Sequence, residues 1–96
     1  MSRQPESRLQ RSIRKALGAS FPGSFWFKVH GGPFVGGIPD LVGCVRGRFI
    51  ALEVKRPGKR ATILQLTTIN LINSAGGVAT VVTSVDEAIQ AVVRSI

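Results

Sequence analysis

Two apolar runs, residues 40–45 and 48–55, are separated only by Arg46-Gly47. A two-residue connection asks for a β-hairpin, although Arg is not the favoured first residue of such a turn. The hairpin sets a register. With Val45 paired to Arg48, counting outward along both strands places Asp40 opposite Glu53, with Cβ atoms roughly 4.5 to 5.5 Å apart. Two like charges so placed destabilise a sheet unless a cation sits between them, and Mg²⁺ takes carboxylate oxygens at about 2.0 to 2.1 Å. A bulge would break this register. Side chains alternate along the second strand, so Ile50, Leu52 and Val54 face a core while Phe49, Ala51, Glu53 and Lys55 face the other way. Lys55 beside Glu53 reads either as an ion pair on a solvated face or as a group that orients a metal-bound water and stabilises charge on a phosphate. Two carboxylates, one Lys and a metal are the equipment for phosphodiester hydrolysis.

The rest of the chain has room for a single domain, residues 1–96. Apolar Leu9, Ile13, Ala16 and Leu17 predict a helix over 6–17, with Pro5 in its first turn and Gly18 as its stop. Residues 25–30 read as a strand running into a loop, 31–39, that contains two Gly-Gly pairs. After the hairpin comes a basic loop, 56–60. A helix over 62–75 follows, then a strand over 78–83 and a last helix over 84–94, opened by the capping box Ser84 to Glu87. The expected class is α/β: a mixed four-stranded sheet flanked by helices, in the order αβββαβα. Trp26 and the nearby Phe residues read as core.

Charge narrows the partner. The 13 Lys and Arg outnumber the 5 Asp and Glu, giving a net charge of +8, while 44% hydrophobic residues exclude a disordered basic tail. A domain this basic expects a polyanion, DNA before an acidic membrane surface. No apolar run is long enough to span a bilayer and no signal-like segment is present, so an intracellular, cytoplasmic protein without a membrane partner is expected. The single Cys44 suggests neither a disulfide nor a metal cluster. Asp86 and Glu87 are explained as helix-start acids, which leaves Glu6, Asp40 and Glu53 as candidates for one site.

At these residues the chain resembles the PD-(D/E)xK nuclease superfamily: Pro39-Asp40, then Glu53-Val54-Lys55. More closely it resembles the virus-type replication-repair nuclease (VRR-NUC) family. The wider pattern is Glu6 in an N-terminal helix, Gly37-Ile38-Pro39-Asp40-Leu41, the strand 51–57 and Gln65 opening the next helix. The resemblance implies a restriction-endonuclease-like core and a Mg²⁺-dependent endodeoxyribonuclease in which Mn²⁺ can substitute. Asp40, Glu53 and the Val54 carbonyl would bind the metal, Glu6 would reach its water shell, and Lys55 would position the attacking water. It further implies a homodimer acting on branched DNA such as Holliday junctions, in a bacterial or phage setting of DNA repair.

The outer positions have rival readings. Glu6 shares the inward stripe of Leu9 and Ile13, yet a first-turn acid also satisfies the helix dipole. Gln65 completes a capping box with Thr62, yet it also lies on the stripe of Ile69 and Ile72 that faces the sheet. His30 ends a strand before the glycine loop and is a candidate phosphate contact. Gly36 and Gly37 allow close approach of a backbone phosphate. No Gly-Lys-Ser/Thr follows, so no nucleotide cofactor is expected. Arg8, Arg11, Arg14, Lys15, Arg56, Lys59 and Arg60 are the candidate DNA contacts. Two alternatives stay open: a non-catalytic basic nucleic-acid-binding module, and a nuclease of the same chemistry acting on linear or flap DNA.

Overall fold

The computed structural model of the protein describes residues 5–30 and 36–96. Arg46 and Gly47 both take positive φ, 53° and 79°, the type I′ geometry whose twist matches the flanking strands. Those strands are β2 (Leu41–Val45) and β3 (Arg48–Val54), and they pair antiparallel from Val45–Arg48 to Leu41–Leu52 with no bulge. The expected register is therefore the observed one, and one further step outward brings Asp40 to Glu53.

The other elements are α1 (Glu6–Ser20), β1 (Phe25–Lys28), α2 (Ile63–Ser74), β4 (Val78–Val82) and α3 (Val85–Ser95). The sheet order is β1-β2-β3-β4, with β1 antiparallel to β2 and β4 parallel to β3. This is the expected mixed α/β sheet in the order αβββαβα. One face packs on α1 and α3, where Ile13, Leu17, Ile50, Leu52, Val54 and Val92 form the main core. On the opposite face, Ala51 and Ala79 pack with Ile69 of α2 in a smaller cluster. Asn73 clasps α2 to the edge strand β4: its amide accepts from Ala79 N at 2.8 Å and donates to Ala79 O at 3.0 Å. That side chain occupies hydrogen-bonding groups an open edge would present to another chain.

Several boundaries differ from expectation. α1 runs through Gly18 to Ser20, because a glycine with open space around it only weakens a helix. The stop is Phe21 (φ −125°), which precedes Pro22 and is pushed out of the helical region by it. Pro5 is the N-cap and not part of the first turn. β1 ends at Lys28, although Val29 N still donates to Asp40 O at 2.8 Å. At the start of α3, Ser84 accepts from Glu87 N, but the Glu87 carboxylate reaches back to Thr83 N and Oγ1, one residue before the expected partner.

The aromatic residues also divide differently. Trp26 packs against the main core, its ring over Gly43 on the neighbouring strand, where any side chain would collide with it. Phe25, Phe27 and Phe49 lie on the α2 face, beyond the cover that one helix provides, and are exposed. The glycine-rich stretch 31–35 singled out in the sequence lies outside the described residues.

Candidate active site

Asp40 sits immediately before β2, half-buried, and its Oδ2 accepts a hydrogen bond from Val54 N at 2.8 Å. This bond ties the end of the hairpin shut and orients the carboxylate across to β3. Gly37 makes the approach to Asp40 possible. It takes φ +89° against α2, where a Cβ would lie 2.7 Å from Leu64 Cγ.

Glu53 points to the α2 face and is 1% exposed, a burial that carboxylates almost never show unless paired. Its Oε2 accepts from Gln65 Nε2 at 3.1 Å and lies 3.7 Å from Lys55 Nζ. Its Oε1 is buried with no hydrogen-bond partner. Burial pushes the Glu53 carboxyl up to about 8, and the neighbouring Asp40 carboxylate adds to the rise. Lys55 opposes the shift, and the charge of Glu6 contributes a smaller rise. The two observations agree. Once ionised, Oε1 has no donor, so the group holds its proton until a cation or a donor replaces it.

Gln65 resolves its two readings by using both ends of its amide. Oε1 accepts from Thr62 N at 2.8 Å, completing the capping box of α2, while Nε2 holds Glu53. Glu6 stands at the start of α1, near enough for its charge to be felt at Glu53. Among the described residues no three His, Cys, Asp or Glu form a metal-sized cluster, so the direct acidic pair is Asp40 and Glu53 alone. These two carboxylates, one of them with a buried oxygen that has no hydrogen-bond partner, fit a hard divalent cation such as Mg²⁺.

The basic candidates fall into separate groups. Arg56, Lys59 and Arg60 occupy the loop that continues from Lys55, at the site's end of the sheet. Arg11 and Arg14 line a recess with Lys28, while Arg8 and Lys15 are exposed elsewhere on α1. His30 is exposed beyond β1, and Gly36 is exposed with Leu64 nearby. Two residues escaped the sequence reading: Lys28, and Gln10, which is buried on the inner stripe of α1. The spacing Glu6, Gln10, Ile13, Leu17 carried that signal, since it places a glutamine where apolar residues belong.

No family model matches the chain, and no curated protein matches it. Solved structures do. One, described as a VRR_NUC domain, is 24% identical with a TM-score of 0.74, covering 91% of this chain and 92% of its own. Another, described as a VRR_NUC domain protein, is 18% identical with a TM-score of 0.79, covering 100% of this chain and 91% of its own. The fold of this protein is that of the VRR_NUC domains.

Proposed function

We propose that the protein is a VRR-NUC nuclease, a metal-dependent endonuclease that hydrolyses phosphodiester bonds in DNA. The observation that carries this reading is the buried, unpartnered Glu53 Oε1 beside Asp40, with Lys55 at 3.7 Å and Gln65 at 3.1 Å from the other oxygen. Asp40, Glu53 and the Val54 carbonyl would hold Mg²⁺ or Mn²⁺, with Glu6 acting through its water shell. Such an ion activates water and neutralises charge on the phosphate. Gln65 keeps Glu53 aimed by donating to Oε2. The Asp40 carboxylate is oriented by Val54 N. Lys55, held by Glu53, turns its ammonium to the reacting phosphate, where it orients the attacking water and stabilises the developing negative charge.

Four-way junctions are the preferred substrate in this reading, cut by a homodimer whose two-fold axis matches the symmetry of the junction. The dimer surface would be the α2 face. Ile63, Leu64, Leu66 and Leu71 are exposed there, as are Phe25, Phe27 and Phe49 on the same side of the sheet. Apolar surface of this extent marks an interaction face.

The test is incubation with four-way, flap, linear and single-stranded DNA in Mg²⁺, Mn²⁺ or EDTA. Cleavage is expected with either metal, fastest on the junction, and none in EDTA. Asp40→Asn and Lys55→Ala are expected to lose about 10²- to 10³-fold in rate while still shifting DNA in a gel. Wild-type rates in both variants would overturn the mechanism, and binding without cleavage in any metal would favour the non-catalytic module.

A further inference from the structure

A recess of about 190 Å³ opens between α1 and the end of β1, lined by Ser7, Gln10, Arg11, Arg14, Lys28 and Leu41. At about 30 Å³ per water molecule, it has room for a phosphate group and part of the sugar attached to it. Three of the lining residues are cationic and none is acidic. Gathering three like charges around one concavity is unfavourable until an anion enters it.

Gln10 provides the second, independent observation. It is 7% exposed, and among the described residues Gln10 and Glu53 are the two buried polar side chains. No hydrogen bond of the Gln10 amide is formed within the described residues. The amide lines the recess without a partner among the described residues, so its two N–H donors are open there to water or to a bound ligand. It lines the recess beneath the cations.

The recess lies toward the same end of the sheet as the carboxylates, on the α1 side, whereas Glu53 points to the α2 side. Lys28 pairs with Leu41, the residue after Asp40.

We propose that this recess is a phosphate-binding subsite for the substrate strand, with Arg11, Arg14 and Lys28 supplying charge and the buried Gln10 amide supplying neutral donors. The assignment rests on the nuclease reading for its substrate, but its test does not depend on cleavage. An internal diester and a terminal monoester share the required chemistry, and the experiment separates them.

The experiment measures binding of a fluorescent four-way junction, and of a short single strand with a 5′-phosphate or a 5′-hydroxyl, by anisotropy in EDTA across a salt series. Wild type is compared with Gln10→Leu and Gln10→Glu, which preserve the volume of the side chain. The expected result is about tenfold weaker binding for Gln10→Leu and a larger loss for Gln10→Glu, with Tm unchanged or raised. Equal losses on both single strands assign an internal phosphate, and a loss confined to the 5′-phosphate strand assigns a terminal one. Wild-type affinity in both folded variants overturns the subsite, whether or not the wild type cleaves DNA in Mg²⁺. A wild type that never cleaves but loses affinity in both variants overturns the nuclease and leaves the subsite standing. Should a variant fail to fold, the Gln10 side-chain amide resonances of the wild type decide. They shift on addition of inorganic phosphate if the subsite exists, and stay fixed if it does not.

Discussion

Gln65 binds Glu53 with one end of its amide and the N-terminus of α2 with the other, Nε2 to Glu53 Oε2 at 3.1 Å and Oε1 to Thr62 N at 2.8 Å. Helix capping and carboxylate positioning are thus performed by a single planar group, and two substitutions separate them. Thr62→Ala removes only the hydroxyl half of the cap and costs about 1 kcal/mol of stability with little change in cleavage. Gln65→Ala costs a similar amount of stability and also frees Glu53, so cleavage falls about tenfold or more. Urea melts and initial rates on the same DNA give both numbers.

Glu53 makes the metal-free protein less stable at higher pH. Its folded pKa, about 8, lies above the ordinary carboxyl value of 4.5. Between those values the folded chain holds a proton the unfolded chain has lost, so this stabilisation, full below about pH 4.5, is lost as pH rises through about 8. In EDTA, stability is expected to fall by a few kcal/mol across that window, and Glu53→Gln is expected to flatten the fall. Added Mg²⁺ is expected to stabilise the wild type at pH 8 and not the variant. Thermal melts at pH 5 and pH 8 check all three.

Glu87 carries the opposite sign. Hydrogen bonds from Thr83 hold its carboxyl below the ordinary value. The small stabilisation it provides is present above the usual carboxylate range and disappears as pH falls through its lowered pKa. Glu87→Gln is expected to lower Tm by a few degrees at pH 7 and not at pH 3, as read by circular dichroism.

Gly37 and Gly58 both sit at strongly positive φ, +89° and +86°, but only Gly37 is crowded. Gly58→Ala meets open space and costs roughly 1 kcal/mol of backbone strain. Gly37→Ala adds a collision with Leu64, for roughly 2 to 3 kcal/mol, and displaces the approach to Asp40. Chemical denaturation is expected to rank the two in that order, with cleavage lost only in Gly37→Ala.

Leu71 is 66% exposed on α2, so a charge there removes little burial within one copy. Leu71→Glu is expected to leave Tm within about a degree while converting a dimer to a monomer in sedimentation, and junction cleavage is expected to drop with it. A wild type that sediments as a monomer with and without junction DNA would remove the dimer from the reading.

What could be read in advance was local. The hairpin register follows from a two-residue turn and side-chain alternation, both properties of a few adjacent residues, and so the sequence already sets Asp40 opposite Glu53. The end of α1 was misplaced because Gly18 carries a stop signal in isolation, while Pro22 makes the actual termination. The exposure of Phe25, Phe27 and Phe49 was hidden, since an aromatic strand looks the same whether or not a helix covers it. Gln10 was missed because a glutamine on a basic helix reads as surface until packing places it inside.

The Arg46-Gly47 turn lies five residues from Leu52 and Leu41 at the far end of the ladder, and six from the carboxylates, roughly 20 Å at about 3.3 Å per residue. Yet its length governs them. Inserting one residue into β3 beside the turn would move Leu52 to the α2 face and send Glu53 into the apolar core. A site can therefore be erased by an insertion that touches none of its residues. Descendants of this chain are free to vary the turn's sequence within the limits of positive φ, and its length hardly at all.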